Sequence, residues 1–240
     1  MEIIIFQFQR QRWMRVFIGI CCLMLINLLP AHAEQQNTLQ SKQQSWQLYK
    51  EQDGIRISQF EHPNGLVEIR AIMQVNTSLS GFLYLLQDVD NAPQWLDNVY
   101  RTQVLEQINS KENIVYTQFS APWPAQDRDM VTYSYFSQLD REHFILVIED
   151  ATAFLPPQEG YIRITDVKAK WQLQKLASGK THIIYTAFAD PGGALPDWLV
   201  NDLARKGAMN TFIALRQRLP LYQQKQHPDL LTEIKKEPMP

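Results

Sequence analysis

Side chains able to do covalent, acid–base or metal chemistry are present in this sequence, but few stand in working combinations. The two cysteines, Cys21 and Cys22, are adjacent within an apolar N-terminal run. Downstream of them the chain has no disulfide, thiolate nucleophile or thiolate metal ligand. His62 and His143 fall in turn-like stretches, His182 begins a strand-like run and His227 lies near the C-terminus. None has a second ligand at the helical or turn spacing that a metal site uses. No G-x-S-x-G elbow, phosphate loop or dinucleotide fingerprint occurs. The acidic pair Glu149-Asp150 stands at a strand end before Pro156, where a solvated rim fits better than a carboxylate dyad. Arg128, inside Asp127-Arg128-Asp129, has two readings. It can point inward as a guanidinium for a ligand's head group, or pair with Asp127, Asp129 or another carboxylate as a clamp. The clamp is favoured, because a buried arginine needs a fixed counter-charge.

What the sequence offers in place of reactive groups is apolar surface with a gap in it. Steps of four along the last helical stretch read Leu199, Leu203, Gly207, Thr211, Leu215, bulky at both ends and nearly empty at the centre, with Ala208 beside the gap. Glycine inside a helix costs about 1 kcal/mol relative to alanine. Either the missing side chains leave volume for a guest, or Gly207 lets a strand or helix approach closely, and the two readings stand level. Leu195, Trp198, Phe212 and Leu219 flank the gap. The strand-like runs are dense in aromatics, including Tyr116, Tyr133, Tyr185 and Phe188. Any one of these is most simply core, and the set implies a sheet with a large apolar face. Tyrosine hydroxyls and the small polar residues Thr132, Ser134 and Thr186 are available to orient a ligand's polar head. Trp123, held between Pro122 and Pro124, sits in a stiff loop. The candidate cavity and rim residues are therefore Trp123, Arg128, Tyr116, Tyr133, Tyr185, Phe188, Trp198, Leu203, Gly207, Thr211 and Phe212.

The elements that position these residues follow from periodicity. Residues 55–60 and 66–75 alternate in a period of two around the turn cluster His62-Pro63-Asn64-Gly65, a hairpin pattern. Residues 78–96 switch to helical spacing, with Thr77 or Ser78 as N-cap and an interruption at Pro93. Strands are expected over 99–108, 113–121, 129–139, 143–151, 160–175 and 181–189, joined by short turns that specify antiparallel neighbours. Residues 196–219 form a helix with Pro196 near its first turn and Pro220 as its stop. Ahead of the first hairpin, a polar leader or surface helix reaches Trp46 and Tyr49. The order is that of an α+β chain with one curved antiparallel sheet wrapped around a long C-terminal helix.

The ends read as an address and a tail. Arg10, Arg12 and Arg15 precede an apolar run at 16–29, and Ala31-His32-Ala33 supplies a cleavage site, so residues 1–33 are expected to be a signal peptide. The run is shorter than the roughly 20 apolar residues a spanning helix needs. Residues 34–45 form the polar leader, 46–220 one domain and 221–240 a polar tail. The expected location is the periplasm or the outside of the cell. The full chain carries a formal net charge of −2, and cleavage would remove three arginines. That balance argues against nucleic acid as a partner.

Three pieces resemble the START (StAR-related lipid-transfer) domain family in a bacterial exported form. They are Asp88-Val89-Asp90-Asn91-Ala92-Pro93-Gln94-Trp95, Pro122-Trp123-Pro124 with Arg128-Asp129-Met130, and Asp190-Pro191-Gly192-Gly193 leading to Pro196-Asp197-Trp198-Leu199. They occur in the family's order over residues 46–219. Met130 replaces the phenylalanine or tyrosine expected after Arg-Asp. The resemblance implies a helix-grip fold holding a lipid or other hydrophobic ligand between sheet and terminal helix, with no metal, cofactor or catalytic residues. A monomer making transient membrane contact is the expected form. Cyclases and hydrolases occur in the wider helix-grip superfamily, so an enzyme acting on a hydrophobic substrate is the alternative. A groove for a partner protein is a third reading.

Overall fold

The computed structural model describes residues 45–231. The expected signal peptide, nearly all of the leader and the last nine residues lie outside the described residues. The described elements are β1 (Gln47–Gln52), β2 (Ile55–Glu61), β3 (Val67–Val75), α1 (Leu79–Gln87), a 3-10 helix (Val89–Gln94), β4 (Val99–Asn109), β5 (Glu112–Phe119), β6 (Arg128–Gln138), β7 (His143–Asp150), a 3-10 turn (Thr152–Phe154), β8 (Ile162–Arg163), β9 (Thr165–Lys175), β10 (Thr181–Asp190) and α2 (Asp197–Tyr222).

Ten strands make one sheet in the order β1-β2-β3-β10-β9-β7-β6-β5-β4, with β8 beside β6. Neighbours along the main path are antiparallel, as short connections require of the consecutive strands, and the β6–β8 pair is parallel. The fold class read from the sequence therefore holds: a large, curved antiparallel sheet gripping a C-terminal helix.

Four local expectations are corrected. The segment at Trp46 to Tyr49 enters a strand, not a helix, because β2 would otherwise leave its backbone edge unpaired; Gln47 pairs with Gln59. The run at 160–175 is two strands. Asp166 takes a left-handed conformation (φ 53°), and the chain ahead of it leaves the main path to lie along β6. Pro220 does not stop α2, which runs on to Tyr222, since a proline this close to the end removes only one hydrogen bond. The segment after α2 is not simply a solvated tail. His227 and Leu230 are buried, and Leu230 belongs to the main core.

That core lies at one end of the grip. Phe212, Leu215 and Leu219 of α2 pack with Phe82 and Leu83 of α1 against Ile57, Met73, Phe144 and Ile183 of the sheet. Ser78 caps α1 by accepting the Gly81 N–H at 2.9 Å. A Cβ at Gly81 would stand 2.7 Å from the Tyr222 carbonyl oxygen, so glycine is what lets α1 meet the end of α2. Toward its N-terminus α2 no longer meets packed side chains: Leu199, Val200 and Leu203 are only partly buried. One helix is thus core at its C-terminal half and wall at its N-terminal half.

Candidate binding site

The space under that wall is a cavity in two adjoining lobes of about 440 and 360 Å³. Its origin is a run of small side chains on both walls. On the sheet, Ala169 of β9 stands opposite Ala187 of β10 in register, with Ala189 two residues further along the same face. On the helix, Ala204, Gly207 and Ala208 complete the second lobe, and Ala204 also borders the first. Where both walls are small, the normal spacing between a helix and a sheet leaves volume that side chains do not fill. Trp171, Tyr185 and Phe212 stand where the lobes meet. The rings of Trp171 and Tyr185 lie 4.2 Å apart, and Trp171 stacks on Phe212 at 5.8 Å.

The first lobe is floored by Val115, Thr117 and Phe119 of β5 and by Met130, Thr132, Ser134 and Phe136 of β6. The second lobe reaches the loop ends at Pro122 and Pro191, and Arg128 lines it.

Three polar groups border this apolar space without a complete set of protein partners. The indole N–H of Trp95 is buried and has no acceptor among the described residues. The Tyr185 hydroxyl has no hydrogen-bond partner among the described residues, and burial pushes its pKa up to about 12. Arg128 is only 6% exposed. Its Nη1 donates to the Gln126 carbonyl, and no carboxylate of the described residues lies within ion-pair distance. Burial lowers the pKa of this guanidinium, and Asp127 opposes that shift.

The clamp reading of Arg128 is therefore corrected. The acid next to it in sequence, Asp129, projects to the other face of β6, where it binds Arg163 at 2.8 and 2.9 Å and accepts from the Tyr116 hydroxyl at 3.1 Å. Adjacent strand residues point to opposite faces, so Arg128 and Asp129 cannot share one site. The Asp129 hydrogen bond raises the pKa of Arg163, consistent with a tight pair.

Of the candidate residues, Tyr185, Phe188, Leu203, Gly207, Thr211, Phe212 and Arg128 are brought together around the cavity. Gly207 serves both readings. It lines the second lobe, and a methyl placed there would rest 3.4 Å from Asp97 Oδ2 on the approaching turn. Four candidates are misplaced. Tyr116 and Tyr133 lie on the outer face of the sheet, packed with Val131, Ala151 and Leu155. The segment crossing that face gives it an apolar cover of its own, so aromatic content could not tell inside from outside. Trp123 and Trp198 are 92% and 70% exposed and line neither lobe. Prolines on both sides hold Trp123 on an outward loop, and Trp198 sits in the first turn of α2, before that helix meets the sheet.

Thr132 and Ser134 face the first lobe as the small polar groups anticipated, whereas Thr186 does not line it. Trp95, Trp171 and the wall alanines other than Ala208 were not among the candidate site residues read from sequence. The pattern that would have found the alanines is Ala187-Phe188-Ala189 in a strand otherwise rich in bulky residues, a sheet counterpart of the gap at Gly207.

Comparison with known proteins gives a consistent result. A START domain family profile matches residues 28–225. The human phosphatidylcholine transfer protein is 28% identical over 173 residues, covering 69% of this chain and 79% of that protein. An uncharacterized protein of Pseudomonas aeruginosa is 24% identical over 180 residues, covering 72% of this chain and 86% of its own length. The crystal structure of a StAR-related lipid transfer protein fragment from Xanthomonas axonopodis superimposes with a TM-score of 0.67 at 27% identity, covering 72% of this chain and 98% of that one.

Proposed function

The chain belongs to the START domain family, and from that premise we propose that it binds a lipid or similar hydrophobic molecule in the two-lobed cavity without transforming it. The observation carrying this reading is the pairing of small residues on facing walls, Ala169 and Ala187 against Ala204 and Gly207, around an apolar volume. Burying about ten methylenes gains on the order of 8 kcal/mol, near-micromolar affinity before entropic costs. Shape and apolar contact are thus enough to retain a lipid chain. Trp95 N–H and the Tyr185 hydroxyl offer points at which an ester or hydroxyl oxygen is held.

Entry requires the rim to open, and the loops at 122–127 and 190–196 are the moving parts in this reading. Trp123, exposed on the first of these loops, and Trp198, exposed just after the second, would rest in a bilayer interface while a lipid passes. With a cleaved signal at residues 1–33, the work is carriage or sensing of the lipid outside the cytoplasm by a monomer.

Native mass spectrometry of the protein purified from its own host tests the proposal. A one-to-one adduct whose mass matches an extracted lipid is the expected result. Absence of any adduct, together with failure of the delipidated protein to take up lipid from vesicles, refutes it. Recovery of the lipid unchanged after incubation separates holding from turnover; a mass-shifted product would favour an enzyme.

A further inference from the structure

Arg128 is the group in this cavity that the lipid-binding reading leaves unexplained. It opens β6 opposite Phe119 and is nine-tenths buried, with its side chain in the wall of the second lobe. A guanidinium carries five N–H donors. Here the protein acceptor is the Gln126 carbonyl, bonded by Nη1. Asp127 turns its Oδ1 to the Ala121 N–H at 2.9 Å, and Asp129 is committed to Arg163 on the other face. A Cβ at Gly193 would lie 3.5 Å from Nη2; Gly193 is held at φ +77°, where only glycine sits easily, so this side of the guanidinium stays uncrowded.

The contrast with Arg163 is informative. Both guanidinium side chains are largely covered, but Arg163 meets a carboxylate and three carbonyls, whereas among the described residues Arg128 meets one carbonyl. Arginine stays charged even when burial disfavours it, so an unpaired one is unfavourable until an anion arrives.

Building on the lipid-binding reading, we infer that Arg128 anchors an oxyanion carried by the ligand, a carboxylate or phosphate at the head of an acyl chain. The anion sits in the second lobe near the loop rim, and the chain runs past Tyr185 and Trp171 into the first lobe.

Two matched pairs of probes test this on the delipidated full chain: cis-parinaric acid against its methyl ester, and oleoyl lysophosphatidic acid against mono-oleoylglycerol. At least one anion should bind about 10- to 100-fold more tightly than its neutral partner, the range of a charge-assisted hydrogen-bonded pair. Arg128→Gln should remove that preference, and a cooperative thermal melt measured beside the titrations shows that the variant folds. Arg128→Lys should keep part of the preference. Equal affinities within both pairs for the unaltered protein overturn the anchor but not the cavity. Failure of all four probes to bind overturns the lipid reading itself. Displacement of the bound anion by millimolar inorganic phosphate would assign the site to a free anion and overturn the head-group assignment.

Discussion

Replacing Ala204 by phenylalanine separates an empty cavity from a packed interior, because the two predict opposite signs of stability change. Ala204 borders both lobes, which hold about 440 and 360 Å³. In a filled core the added ring would have no room, and overpacking costs about 1–3 kcal/mol. In the cavity the ring enters unoccupied apolar space. Its burial contributes about 1.5–3 kcal/mol, less about 0.5 kcal/mol for the poorer helix propensity of phenylalanine. The net stabilisation of about 1–2.5 kcal/mol raises the melting temperature of the delipidated protein by roughly 3–8 °C. The ring also displaces ligand. If it takes the space of about four methylenes, affinity falls by about 3 kcal/mol, on the order of 200-fold. Thermal melts without lipid and titrations with a fluorescent fatty acid give both quantities on one sample. A lower melting temperature would show that the space is already packed. A higher melting temperature with unchanged affinity would place the guest elsewhere. Either result refutes the reasoning.

Asp129→Asn should lower stability by about 3–5 kcal/mol, since it strands Arg163 as a buried charge, while lipid affinity per folded molecule stays unchanged; denaturant unfolding and titration together check both. His227 should make the fold acid-sensitive. Burial holds its pKa below the ordinary 6.5 and Asp229 only partly offsets this, so the unfolded chain takes up the proton first. Stability is then lost as pH falls below about 6.5, and the loss is complete once pH is below the folded-state value. His227 Nε2 lies 2.9 Å from Gln87 Oε1, and Nδ1 accepts from the Asp229 N–H at 3.2 Å, a pattern that the protonated ring cannot satisfy. Urea midpoints for His227→Gln should fall less between neutral and mildly acidic pH than those of the unaltered protein. The double variant Trp123→Ala/Trp198→Ala should slow lipid uptake from vesicles at least several-fold while leaving the melting temperature within about 2 °C, because both side chains are exposed; an equal uptake rate would remove the membrane-contact role.

Most of the element order was legible because its causes are local. Period-two alternation marked β2 to β7 and β10, Thr77 or Ser78 marked the start of α1, and Pro196 marked the start of the long helix. The three motif pieces pointed to the family from the same local information. The segment at Trp46 was not legible, since its strand exists only to pair with β2. The cavity was legible in half: the helix shows its gap at Gly207, but the sheet's answering alanines become a wall only when β9 and β10 are in register.

By itself the sequence determined that strands would alternate, that one long helix would cover them, and that this helix would lack side chains at its centre. The choice of which strand face the helix covers belonged to the tertiary structure. In β5 and β6 both faces carry apolar or aromatic residues, because the inner face meets the helix and the outer face meets the segment at 151–164. Tyr116 and Tyr133 therefore went outward while Thr117 and Thr132 went inward, and the same parity parted Arg128 from Asp129. Alternation tells neighbours apart but not inside from outside, and only the packing of distant segments supplies that sign.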